Sequence, residues 1–199
     1  EMNYISKCAP MIARLPLLGN KAFVYAGTED GNLICVAIDD NSVRFIEKIG
    51  DTNNGILGIY PLNENFFVVI LEQSVQCFAL STTKLRWSKK FNNKTKNAYR
   101  LGSKIYVRQL DGLLEINEAI ENSKNISFPI RDIKSIQTTD QDLVLIGENK
   151  CYYLDLANGR FVPVAQNKVA NQILVSNGKF IERKDNNLVK VDNSNHMEL

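Results

Sequence analysis

At 199 residues and 44% hydrophobic content, the chain can bury one sizeable core, which favours a single domain or a repeat array over two unrelated domains. Charged residues make up 23% and the formal net charge is +2, so no global field draws the chain to nucleic acid or an anionic membrane, and any basic partner site has to be local. The longest apolar runs, such as FFVVIL at 66–71, are far shorter than a membrane span, and no charged-then-apolar leader opens the sequence, so the chain reads as soluble. It opens on Glu1 rather than Met, which suggests a piece of something longer.

In chain order, IARL at 12–15, the polar turn PLLGNK and FVYAG at 23–27 read as a pair of short strands, and CVAID at 35–39 follows after Asp30-Gly31. The same order returns as LGIY at 57–60, FVVIL at 67–71 and CFALS at 77–81. It returns again as AYR at 98–100, IYVRQ at 105–109 and LLEIN at 113–117. KSIQ at 134–137, LVLIG at 143–147 and CYYLD at 151–155 form another copy, and QILV at 172–175, FIERK at 180–184 and LVKVD at 188–192 the last. The third segments start at Cys35, Cys77, Leu113, Cys151 and Leu188, at spacings of 42, 36, 38 and 37 residues. VRFIEKI at 43–49, LRWSKKF at 85–91 and RFVPVA at 160–165 add a fourth strand to most units. Asp30-Gly31, Asp111-Gly112 and Asn177-Gly178 are expected to supply the positive φ of tight hairpin turns.

Four short antiparallel strands per unit of about 40 residues is the pattern of a β-propeller blade. One blade cannot bury both faces alone, so stacked blades make the core. The expected fold is all-β: a single β-propeller domain or propeller fragment over residues 1–199, with about five repeats of about 38 residues. The repeats centre near 11–50, 56–91, 97–117, 133–165 and 169–192. Either five blades close, with NYIS at 3–6 completing the last, or the chain is part of a six- or seven-bladed ring. INEAIENSKN at 116–125 reads as a blade-to-blade loop with one helical turn.

The residue chemistry points away from catalysis. Cys35, Cys77 and Cys151 share a repeat position with Leu113 and Leu188, and a place that accepts either residue is a buried apolar slot. With Cys8 the chain has four cysteines, no C-x-x-C pair and no histidine at ligand spacing, which fits a reducing compartment. The sequons Asn93-Lys94-Thr95 and Asn125-Ile126-Ser127 point weakly the other way. The only histidine, His196, lies four residues from the end. Glu29-Asp30 and Asp39-Asp40 fall in turns, and Gly27 and Gly31 form neither phosphate-loop motif. No catalytic, cofactor-binding or metal-binding residue is expected, and no cofactor.

One local feature stands out. No acidic residue occurs between Glu72 and Asp111, while Lys84, Arg86, Lys89, Lys90, Lys94, Lys96, Arg100, Lys104 and Arg108 accumulate, interleaved with Trp87, Phe91 and Tyr99. Clustered cations with aromatics suit an acidic protein surface, anionic lipid head groups or RNA. The plainer reading is an alternating outer strand with a solvated loop, Trp87 facing the neighbouring blade. Lys84, Arg86, Lys89, Lys90, Lys94, Lys96 and Arg100 form the candidate partner-binding patch.

LPLLGNKAFVYAGTEDGNLICVAID at 15–39, ILGIYPLNENFFVVILEQSVQCFALSTTKL at 56–85 and IRDIKSIQTTDQDLVLIGENKCYYLDLANGRFVPV at 130–164 resemble the citron-homology propeller of vacuolar-sorting tether subunits of the CORVET and HOPS complexes. That family shows a similar "VGT-x-x-G" strand early and a "VG…YYL" strand near the end. The resemblance implies a non-catalytic interaction domain, cytoplasmic and peripheral on endosomal or vacuolar membranes. It would contact other tethering subunits and a Rab-type small GTPase, and the basic patch would suit an acidic membrane surface. VYAGTEDGNLICVAID with ALSTTKLRWSKKF is also similar to quinoprotein-like repeats, which implies an assembly scaffold or luminal sensor, or an enzyme with a cofactor cleft and acidic metal ligands.

Overall fold

The computed structural model describes residues 11–15, 21–51, 53–95, 97–138, 142–148, 150–163, 173–176, 179–184 and 187–190. Over these residues the protein is all-β, built from small antiparallel sheets with almost no helix, and is consistent with a β-propeller-like fold. NYIS at 3–6, Cys8, Lys96, Asn177-Gly178 and His196 lie outside the described residues. Among the described residues no helix is long and apolar enough to cross a membrane. The chain divides into two compact units, one of Glu1–Tyr99, Lys104–Leu110 and Leu114–Lys124, the other of Arg100–Ser103, Asp111–Leu113 and Asn125–Leu199.

In the first unit, β1 (Met11–Leu15), β2 (Lys21–Gly27), β3 (Asn32–Ala37) and β4 (Val43–Lys48) form one sheet in chain order. β5 (Ile56–Pro61), β6 (Phe66–Leu71), β7 (Ser74–Ala79) and β8 (Leu85–Lys90) form a second. β9 (Ala98–Leu101), β10 (Lys104–Arg108), β11 (Gly112–Ile116) and β12 (Lys124–Ser127) are consecutive neighbours in a third sheet, whose residues belong partly to each unit.

β6 explains why its sequence is a continuous apolar run rather than an alternating one. Phe67, Val69 and Leu71 join Phe23, Tyr25, Leu33 and Cys35 in one core cluster. Val68 and Ile70 join Val75, Cys77, Ile105, Val107, Leu114 and Ile116 in a second. Successive strand residues point to opposite faces, so a strand buried on both sides must be apolar at every position. Each fully buried side chain of this size contributes about 1.5–3 kcal/mol relative to exposure.

The first two sheets repeat one another in detail. In both, the register shifts once between the third and fourth strands, beside Cys35 in one and Cys77 in the other. The turn before the shift uses a left-handed non-glycine residue in each case, Asn41 at φ 52° and Thr83 at φ 53°. Ala37 N–H donates to Ser42 O, and Ala79 N–H to Lys84 O, both at 2.9 Å. The cysteine slot is core, as its alternation with leucine implies: Cys35, Cys77, Cys151 and Leu113 are all buried.

In the second unit, β13 (Ser135–Thr138), β14 (Leu143–Ile146), β15 (Cys151–Asp155) and β16 (Arg160–Pro163) pair in chain order. The four residues of β14 are all buried, and Phe128 packs on Phe161 at 5.7 Å between ring centres. β17 (Ile173–Ser176), β18 (Lys179–Lys184) and β19 (Asn187–Lys190) form a three-stranded sheet.

Two expectations need correction. Gly112 is not a left-handed turn residue; it opens β11, and a Cβ there would overlap the Ile126 carbonyl, so close backbone approach is what requires glycine. Gly31 does take positive φ, at 83°. The third repeat also extends past residue 117. The stretch at 116–125 does hold a 3₁₀ turn at Ile120–Asn122, but β12 begins directly after it. KNIS buries Ile126 alone, and one apolar residue in four gives no strand pattern.

Candidate functional site

β8 is the outer strand of the second sheet and exposes most of its length. Its register places Trp87 opposite Cys77 and Leu85 opposite Phe78, which leaves Arg86 as the extra residue of a β-bulge. Bulges re-aim a side chain. The Arg86 guanidinium lies 5.5 Å from the centre of the Phe66 ring, within cation–π range. Trp87 is partly buried against the second core cluster and donates its indole N–H to Glu118 O at 2.8 Å. That bond ties β8 to the loop after β11, where Asn117 donates its amide to Asn122 O at 2.8 Å. Together these groups enclose an open cleft of about 670 Å³, walled by Phe66, Arg86, Trp87, Asn117, Glu118 and Asn122, with Cys77 behind them.

Burial pushes the Cys77 thiol up to about 11; Arg86 pulls the other way and Glu118 adds to the rise. The thiol therefore stays protonated at neutral pH and is no nucleophile. Two consequences can be measured. Alkylation of Cys77 in the native protein at neutral pH, followed by peptide mass spectrometry, should be slower than in the urea-unfolded chain by about 100-fold or more. The folded group releases its proton at higher pH than the unfolded one. Its contribution to stability is therefore fully present below about pH 9 and is lost as pH rises towards 11.

The seven residues of the candidate patch do not all meet. Arg86, Lys89 and Lys90 belong to β8, Lys84 precedes it, and among the described residues none of the four makes an ion pair. Lys94 is engaged elsewhere, 3.1 Å from Glu72 Oε2 and donating to Asn53 O at 2.7 Å. Arg100 falls in the second unit and donates to Gly102 O at 3.1 Å. Lys104, also in the basic stretch, pairs with the buried Glu115 at 3.4 Å, which accepts a bond from the Tyr106 hydroxyl at 3.2 Å.

The turn carboxylates have local roles. Asp30 accepts from the Thr28 hydroxyl and from the Asn32 amide at 2.8 Å, and the Thr28 bond leads in holding its carboxyl below the usual range. Asp40 accepts from the Ser42 hydroxyl at 2.6 Å and from Arg44 at 2.7 Å, and the Ser42 bond leads there. Sequence reasoning missed Asn117, Glu118 and Asn122. The available signal was Trp87, whose indole N–H needs an acceptor when it is drawn into a core.

No family model matches the chain, and no curated protein matches it. Among solved structures it is similar to hydrazine synthase of Kuenenia stuttgartiensis, with a TM-score of 0.57 at 13% identity, covering 93% of this chain and 58% of that one. The chain thus spans under two thirds of that protein's length, and the likeness concerns fold alone.

Proposed function

We propose that the chain is a β-propeller, whole or partial, serving as a non-catalytic protein-interaction module. The observation that carries this reading is β8: an outer strand bearing Lys84, Arg86, Lys89 and Lys90 beside an open cleft, on a sheet whose inner strands are buried on both faces. A rigid double-sided core with a basic, aromatic-bearing outer strand is a scaffold for display. The resemblance of residues 15–39, 56–85 and 130–164 to citron-homology propellers extends the proposal to a membrane-tethering subunit. Such a subunit is cytoplasmic and peripheral on endosomal or vacuolar membranes, and it contacts other tethering subunits and a Rab-type small GTPase.

The test is reversal of Lys84, Lys89 and Lys90 to Glu. These side chains hold no part of the core, so the unfolding midpoint should stay unchanged. Capture of tethering subunits or of a GTP-loaded Rab-type GTPase should weaken about tenfold or more. Undiminished capture of every partner by a folded variant would return β8 to a solvated edge.

A further inference from the structure

The first sheet is an internal control for the second. At an offset of 42 residues, Cys35 matches Cys77, Asn41 matches Thr83, Arg44 matches Arg86 and Phe45 matches Trp87. Arg44 is the bulged residue of β4 as Arg86 is of β8. In the first sheet that arginine is neutralised by Asp40, which Ser42 holds in place. In the second sheet Thr82 stands where Asp40 does and Lys84 where Ser42 does. The acid is gone, its positioning hydroxyl is replaced by a second cation, and Arg86 makes no ion pair among the described residues. The released guanidinium lines the cleft over the Phe66 ring, 5.5 Å from its centre, with Trp87 in the same wall.

We infer that this cleft binds an extended acidic peptide, one carboxylate on the Arg86 guanidinium and an adjoining apolar side chain against Phe66 and Trp87. The inference rests on the interaction-module reading and names the partner's chemistry. The cation–π contact with Phe66 forms no hydrogen bond, so it leaves guanidinium N–H groups for a planar carboxylate. Lys84 and Lys89 add attraction for acidic residues on either side. Glu118 decides among anions. Glu118 is exposed and lines the same cleft, and its negative charge repels a uniformly anionic surface such as a phosphate polymer or lipid headgroups. A peptide instead brings backbone N–H donors to Glu118 and to the amide oxygens of Asn117 and Asn122. The cleft, at about 670 Å³, suits several residues of chain better than one small anion.

Trp87 is the only tryptophan, so its fluorescence reads occupancy of this cleft directly. The probes are a capped hexapeptide, acetyl-SDLFEG-amide, and its neutral counterpart acetyl-SNLFQG-amide, titrated into the purified chain. The acidic peptide should give a saturable change in emission, and the neutral one should bind about tenfold more weakly or worse. Arg86→Gln should weaken the acidic peptide by about the same factor and Arg86→Lys by less, since the charge remains and the fork is lost. Arg44→Gln should leave binding unchanged, and Glu118→Gln should narrow the preference for the acidic peptide over inorganic phosphate. The proposal is overturned by no response to the acidic peptide or by equal binding of the two peptides. It is equally overturned if inorganic phosphate, phosphatidylserine vesicles or an oligouridylate bind at least as tightly as the acidic peptide. Should Arg86→Gln fail to fold, the two peptides on the unaltered chain and Arg86→Lys still decide. If the peptide fails while lysine reversal on β8 abolishes partner capture, the cleft assignment falls and the interaction module stands.

Discussion

Replacing Gly31 with alanine is expected to destabilise the protein by about 3 kcal/mol or more, the sum of left-handed backbone strain and steric overlap. Gly31 sits at φ 83°, and a Cβ built there would lie 2.5 Å from Gly50 Cα and 2.6 Å from Asp51 N. Those neighbours are backbone and cannot swing aside. They are also held in place, because Ile49 and Gly50 both donate their N–H groups to Gly31 O, at 3.0 and 2.9 Å. The turn and the end of β4 are thus locked together through one carbonyl. Gly102 is the control: its φ is 59°, but a Cβ there meets nothing within 4 Å. Gly102→Ala should cost only the backbone term, about 1–2 kcal/mol. Urea unfolding of both variants, read from the midpoint at constant slope, separates the terms. Equal losses would mean that the approach to Gly50 carries no energy.

That glycine shows how far the sequence could be read. Asp30-Gly31 is legible because a local rule fixes it: the short turn from Thr28 to Asn32 between two apolar runs closes through one residue of positive φ, which glycine takes without strain. Asp111-Gly112 has the same spelling and a different cause, since its glycine answers to the Ile126 carbonyl, which local rules do not see. The cysteine slot is legible through repetition, because each copy samples the same packed environment. β12 is not, since only Ile126 of its four residues is buried. The basic stretch was visible as composition. Its division into the β8 cations, the tethered Lys94 and Arg100 of the other unit depends on where turns place each residue. The cleft is a tertiary product. Even so, the 42-residue offset that relates Cys35 to Cys77 also relates Arg44 to Arg86, so the lost acid could have been found by aligning the chain with itself.

Phe67→Ala should cost about 3–5 kcal/mol, as expected for removing a fully buried aromatic ring whose site cannot collapse. The ring is completely buried, 4.9 Å from Tyr25 and 5.4 Å from Phe78 between centres, the latter stacked. Each neighbour is fixed by its own strand, Tyr25 on β2 and Phe78 on β7, so neither can move into the space without breaking ladder bonds. Phe67→Leu, which keeps most of the volume, should cost about 1.5 kcal/mol. The location of the damage is as informative as its size. Phe67 faces the cluster shared with β2 and β3, while Ile70 on the same strand faces the cluster shared with β10 and β11. In stacked-sheet proteins stability is close to a sum of nearest-neighbour terms, so the two losses should spread in opposite directions. Native-state hydrogen exchange should therefore accelerate chiefly in β2 and β3 for Phe67→Ala, and chiefly in β10 and β11 for Ile70→Ala. Uniform acceleration in both variants would show that these sheets open as one cooperative body, with β6 as its shared centre rather than a boundary between two interfaces.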